Sequence, residues 1–392
     1  MDAIDRLFAR MKRLPTAQDG TTDTALGHQT SPLGTKKRPW QEAVTVTAWI
    51  RVAFFSIAFV ANWVVAILNG QQKPGFFDVW LKWDAIAFLL VAQHGYTSPL
   101  THPTPTAYFP LLPLLLRALV TIDVPGASAG LLISGAACVV AFAYLYKLAE
   151  EQMGPGTGRP AVLYLALFPS AVFLVAGYSE AIFLAGAIPA FYYARRRQWA
   201  LAALPTAIAT AARFAGIFLI FGLAIELFQQ RDEPVRIRLQ ALGALATGCI
   251  PLVAYGLFLD RARGDPLYYF TDQRVGWHRG FSNPVSSLIN TFSHPQFVIE
   301  ILSAALGVCL VVWVVKRREW SYAAYMGASL ASLMTSTSYL SISRILVSFF
   351  PVPLLLAARS KDRPRTGRAI LVISATLAVA GVVAFTHGWG FY

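Results

Sequence analysis

Long stretches without charge alternate along this chain with short clusters of polar and basic residues. The apolar runs fall at about 44–68, 127–147, 161–176, 181–194, 199–212, 214–229, 239–259, 297–315, 321–340, 345–358 and 369–387. Runs of roughly 14–25 residues suit helices that enter or cross a bilayer and are too long for the ten-residue strands of a membrane barrel. They predict an all-α polytopic membrane protein with about eleven transmembrane helices over residues 44–392. Residues 1–43 form the preceding tail. Its opening, MDAIDRLFARMKRL, sets Ile4, Leu7, Phe8, Met11 and Leu14 on one helical face with basic residues opposite. That pattern fits an interfacial helix on an anionic leaflet or equally a frayed helical end. Residues 15–39 read as a flexible linker, and no apolar core follows the first basic residues, so a cleavable signal peptide is not expected.

Composition narrows the class. The chain is 56% hydrophobic and 14% charged, with a mean hydropathy of +0.53. Soluble domains carry about 25% charged residues, and 13% aromatic content argues against disorder. Cys138, Cys249 and Cys309 all lie within apolar runs, which excludes a secreted disulfide framework and a cysteine zinc site. The net charge of +13 reads first as topology. With the N-terminus cytoplasmic and eleven crossings, 24 of the 33 Lys+Arg fall on the inner side, as the positive-inside rule requires. Nucleic-acid binding is therefore not implied. The Ala/Arg/Val-rich composition leads us to expect a bacterial plasma membrane.

Several runs are unusual in length. Residues 199–229 as one helix would span about 46 Å, against a hydrocarbon core of about 30 Å. Two short helices breaking near Arg213 keep Arg231, Arg236 and Arg238 inside. Short runs also meet at Tyr178-Ser179-Glu180 and around Ser343-Arg344. Helices of 14–16 residues reach only about 21–24 Å, so these tips sit recessed. Recessed charge in a bilayer marks function by default; the plainer alternative is interfacial turns with snorkelling arginines. On the first view, Glu180, Arg213 and Arg344 line a water-filled crevice.

Two long outer loops follow from this topology, about 69–126 and 260–296. The first contains Lys82-Trp83-Asp84 leading into an amphipathic segment, then His94-Gly95-Tyr96 and Tyr108-Phe109-Pro110-Leu111-Leu112-Pro113. Its segment 108–121, broken by prolines and Arg117, is expected at the interface rather than across it. The second mixes cations with aromatics around Trp277 and Arg279, as a phosphate and a sugar face would require. There is no Walker sequence and no HExxH, and the GxSxG spacing at Gly126–Gly130 opens an apolar run rather than an elbow. Eight carboxylates fall on the outer side: Asp78, Asp84, Asp123, Glu180, Asp260, Asp265, Asp272 and Glu300. Asp84 stands out between an aromatic and an apolar helix, where a carboxylate can act as a positioned base. On spacing alone it could equally cap the helix after it.

Three ordered motifs carry a resemblance. Lys82-Trp83-Asp84 … His94-Gly95-Tyr96 … Phe109-Pro110-Leu111-Leu112-Pro113 resembles the first luminal loop of the PIG-V family, the GPI mannosyltransferase 2 type. Phe168-Pro169-Ser170 … Gly177-Tyr178-Ser179-Glu180 and Ala212-Arg213-Phe214-Ala215-Gly216 resemble two later motifs of that family. The likeness runs over about residues 45–220. Ala85 stands where Gly or Ala is usual, while Phe88 replaces an aromatic with a polar tip and Phe214-Ala215 replace Ser-Asn; the aspartate and arginine stay in place. The resemblance implies a GT-C-type transmembrane fold and a polyprenyl-phosphate-mannose donor, with the essential acidic role on Asp84. Lys82, Trp83, His94, Tyr96, Tyr178, Glu180, Arg213, Trp277, Arg279 and Arg344 are then the candidates for holding donor and acceptor. Neither a metal nor a cofactor is expected, and the acceptor would be a glycolipid or glycoprotein. Two other classes fit the spans alone: a lipid transporter or flippase, and a non-catalytic subunit of a glycosylation complex. The first should show an internal repeat, which is not evident.

Overall fold

The computed structural model describes residues 39–293 and 297–389. The expected interfacial helix of the tail and most of its linker therefore lie outside the described residues. The described chain is helical without strands; one isolated bridge joins Phe281 and Ser336. It is an all-α polytopic membrane protein.

Among the described residues, five helices are long and apolar enough to cross a bilayer: α1 (Pro39–Leu68), α4 (Gly126–Gln152), α10 (Val235–Arg263), α13 (Val298–Lys316) and α17 (Pro364–His387). A bent pair, α15 (Ile342–Ile345) with its 3-10 continuation to Ser348 and α16 (Pro351–Asp362), makes a sixth if counted as one span, with a 65° bend. The remaining apolar runs become shorter helices: α7 (Glu180–Arg195), α8 (Trp199–Ala212), α9 (Gly216–Gln229) and α14 (Trp320–Met334). Length and composition thus support five or six full spans where the apolar runs predicted about eleven. One run is not a single helix. Residues 161–176 divide into α5 (Gly158–Ala166) and a single turn, α6 (Val172–Val175), because Pro169 removes an amide donor and forces Phe168 out of helical geometry. Arg51 lies well inside α1.

The long helices keep apolar faces outward. Only 22% to 28% of the apolar windows of α1, α10, α13 and α17 are buried, with residues such as Trp49, Val253 and Leu302 exposed. Such faces match hydrocarbon rather than water. By contrast α7 is apolar all round and buried along almost its whole length, the mark of a central helix. It packs on α8 at Gly186, where a Cβ would come within 2.6 Å of the Ala209 nitrogen and the Pro205 carbonyl.

The first long loop, between α1 and α4, holds α2 (Asp84–His94) and α3 (Leu111–Val120), with 3-10 turns at Asp78–Trp80 and Pro105–Ala107. The second holds α11 (Tyr268–Trp277) and α12 (Pro284–Phe292). Asn283 caps α12, accepting from the Val285 N–H at 2.9 Å, with Pro284 in the first turn. That is a helix start written in sequence. The two loops are tied together at Thr106. Its N–H and hydroxyl donate to the buried Asp272 at 2.8 and 2.6 Å, and its carbonyl accepts from the Tyr255 hydroxyl at 2.8 Å.

Candidate functional site

Three breaks between short helices converge on one polar cluster. The first is the turn before α7. Gly177 meets α4 at Gly130 so closely that a Cβ on either would come within about 3 Å of the other's Cα, and Glu180 opens α7 fully buried. The second is the exit of α8, where Arg213 takes an extended conformation before α9. The third is the single turn α15 that carries Arg344. The Glu180 carboxylate bonds both guanidiniums through one oxygen, pairing with Arg213 and Arg344. Arg344 reaches on to the carboxylate of Asp84. Two anions and two cations therefore form one chain, Asp84–Arg344–Glu180–Arg213. Charges this deeply placed must be paired to be tolerated.

Asp84 enters from α2. It is the first helical residue, and Trp83 before it adopts φ 45°, ψ −115°. That is an unusual conformation for a bulky side chain and the kind of strain that collects at functional sites. The carboxylate turns away from its own helix, with Oδ2 on Arg344 and Oδ1 accepting from the Tyr108 hydroxyl at 3.3 Å. A helix-cap role is therefore not what its recorded contacts serve. Burial, with Asp84 adding to it, pushes the Tyr108 phenol well above its ordinary range, so it remains a hydroxyl donor at neutral pH.

These groups open on a cavity of about 140 Å³. Asp84, Arg213, Trp277, Arg279 and Arg344 line it, with Tyr108, Phe109, Phe214, Tyr269 and Gln273. Arg279 is distinct among its cations. It donates to Gln273 Oε1 at 3.2 Å and to the Leu340 carbonyl at 2.9 Å, while its buried Nε has no hydrogen-bond partner. A second cavity of about 240 Å³ shares Arg279, Phe214 and Tyr269 and extends past Gly280 and Phe281.

The other candidates lie behind or beside this space. Tyr178 is buried; the guanidinium of Arg344 stacks 4.6 Å from its ring, and its hydroxyl donates to the Lys82 carbonyl at 3.1 Å. Lys82 thus meets the site only through its carbonyl on buried Tyr178 and does not line the cavity. Trp83 packs against Phe385 of α17 with ring centroids 5.2 Å apart. Tyr96 donates to the Tyr108 carbonyl at 2.7 Å. His94 ends α2 exposed and does not line the cavity.

Sequence reasoning missed Tyr108 as an Asp84 partner, although it stands in the motif that drew attention. It also missed Phe214, Tyr269 and His102. The His102 ring faces Tyr108 and Trp277 at centroid distances of 5.3 and 6.5 Å. Burial holds the imidazole below its usual range, so it is neutral at pH 7, and its Nδ1 accepts the Thr104 N–H at 3.2 Å.

No family model matches the chain. A stretch of 124 residues is 32% identical to the protein named GPI alpha-1,6-mannosyltransferase 2 of Mus musculus, covering 29% of this chain and 24% of that protein. The chain thus spans about a quarter of the length of the curated relative it matches. The likeness is to a mannosyltransferase, carried on a multi-pass membrane fold.

Proposed function

We propose that this protein is a membrane-embedded mannosyltransferase that uses a polyprenyl-phosphate-mannose donor and acts on a glycolipid or glycoprotein acceptor at the extracytoplasmic face. The observation that carries the proposal is the placement of Asp84 beside Arg344 at the wall of a small polar cavity that is also lined by Arg213 and Arg279. The likeness to a mannosyltransferase supports the choice of sugar.

The chemistry follows from those groups. The acceptor hydroxyl oxygen attacks the anomeric carbon of the donor on the side away from the phosphate. The new C–O bond forms as the bond from carbon to phosphate oxygen breaks, turning a β-linked donor into an α-linked product. The hydroxyl proton passes to the Asp84 carboxylate, and both electrons of the broken bond leave with the lipid phosphate. Its growing negative charge falls within reach of guanidiniums held in a low-dielectric site, where such stabilisation is strong. Before this can happen, Arg344 has to release Asp84. An arriving phosphate offers it a competing anion.

The test is Asp84→Asn beside Asp78→Asn. Asparagine keeps the size but takes up no proton. As a general base, Asp84 should be worth about 10²–10⁴-fold in turnover, with expression and melting unchanged. Asp78 sits six residues earlier in a 3-10 turn, and its substitution should leave most activity. Equal losses from the two changes would indicate loop folding, and full activity in Asp84→Asn would remove the base from the account.

A further inference from the structure

We infer that Glu300 of α13 is a positioning residue for this transfer, acting through Ser343 to aim Arg344; the inference rests on the function proposed above. Glu300 is 5% exposed in the first turn of a membrane-spanning helix. Its two oxygens take the two donors of one residue: Oε2 accepts the Ser343 N–H and Oε1 the Ser343 hydroxyl, each at 2.8 Å. Ser343 immediately precedes Arg344 in α15.

That turn has little to hold it by itself. It is four residues long, it follows Ser341 at φ 67°, and it runs directly into a 3-10 turn. One helical turn is not self-supporting. The backbone that presents Arg344 to Glu180 and Asp84 is therefore held from outside, and two charged side chains grip it from two elements. Arg279 donates to the Leu340 carbonyl on one side of Ser341, and Glu300 grips Ser343 on the other.

Attachment of the preceding loop does not need Glu300. Residues 335–339 are already joined to the second outer loop by neutral bonds. The Thr337 N–H donates to the Gly280 carbonyl at 3.0 Å, the Tyr339 N–H to Thr291 Oγ1 at 3.0 Å, and Asn290 to the Thr337 carbonyl at 3.0 Å. A carboxylic side chain buried in an apolar span is expensive and marks a function. What it adds is a pair of acceptors matched to both Ser343 donors, one residue from the guanidinium that touches Asp84.

The experiment is a double-mutant cycle on membranes containing the full chain. Glu300→Gln, Arg344→Lys and the pair are compared for transfer from labelled polyprenyl-phosphate mannose, with kcat and donor KM measured separately. The amide has one acceptor where two are used, so Arg344 should drift; misplacements of about 1 Å cost up to about 10²-fold. The expected result is a fall of roughly 10-fold in kcat with donor KM within about 2-fold, because Arg344 matters most as charge develops in the transition state. In the Arg344→Lys background the same change should cost almost nothing further. Ser343→Ala, which deletes only the hydroxyl bond, should reproduce part of the kcat loss and keeps the test open if Glu300→Gln does not fold. The same fold loss from Glu300→Gln in both backgrounds, or unchanged kcat in Glu300→Gln or Ser343→Ala, overturns the positioning role alone. A wild-type chain inactive on every acceptor would instead remove the proposed function and this inference with it.

Discussion

Helix α7 carries an ion cluster at each end, about 24 Å apart by its 16 residues. At its C-terminal end Arg195 pairs with Glu319 at 2.7 Å and Glu226 at 3.3 Å, donates to Gln152 and Ser321, and lies under the Tyr322 ring at 3.9 Å. At its N-terminal end Glu180 joins Arg213 and Arg344, and Arg344 joins Asp84. The residue types are nearly the same. The difference is in what surrounds them. Amides, a hydroxyl and an aromatic face pack around the first cluster, so its charges hold helices together. The second borders a cavity and a further arginine whose Nε has no partner. Both clusters contribute to stability, but only the second also stands within reach of an incoming anion.

The largest contrast should come from the acidic residues. Glu180→Gln leaves two buried guanidiniums short of a partner, a loss of about 3–5 kcal/mol in stability, and should abolish transfer. Glu226→Gln removes one of two carboxylates from Arg195 and should cost about 1–2 kcal/mol, with kcat and KM per folded molecule unchanged. Thermal melting and transfer kinetics on both variants check this; a kinetic defect in Glu226→Gln would erase the distinction between the two ends.

A smaller effect is expected from exchanging arginine for lysine at each end. Arg213→Lys keeps charge but loses the planar fork that grips a phosphate, so donor KM should rise about 10-fold, the worth of one charged hydrogen bond. Arg195→Lys should lower the melting temperature by about 2–4 °C and leave KM alone. An unchanged donor KM in Arg213→Lys would return that residue to a purely structural pairing with Glu180.

The smallest perturbation tests sidedness without touching activity. With Cys249 and Cys309 replaced by Ser, single cysteines at Thr97 and Phe281, both exposed in the outer loops, should react with an impermeant thiol reagent in intact cells. A cysteine at Asp232, in the turn after α9, should react only after lysis. The reverse pattern would invert the topology.

The two ends of α7 also show how far the sequence could be read. Apolar runs and their punctuation located most helices; 199–212 is α8, and the predicted break at Arg213 is where the chain leaves it. Pro169 within 161–176 and Asn283-Pro284 before α12 are breaking and capping signals that run length alone did not use. The recessed charges at 178–180, 213 and 344 were legible as breaks between short runs. Their partners were not. Asp84 meets Arg344 across 260 positions of sequence and Glu180 meets it across 164, and no local pattern encodes such a pairing. Nor could spacing separate Arg195, which is locked in packing, from Arg344, which borders a cavity. Both follow from tertiary enclosure alone.

On the proposed function, the cluster at the N-terminal end of α7 transfers mannose by a single displacement. Membranes containing the protein should be given labelled β-linked polyprenyl-phosphate mannose with a panel of glycolipid and glycoprotein acceptors, and the anomeric configuration of any product determined by NMR. An α-linked mannoside is the expected product. Transfer to no acceptor by folded protein, or a β-linked product, would contradict the account.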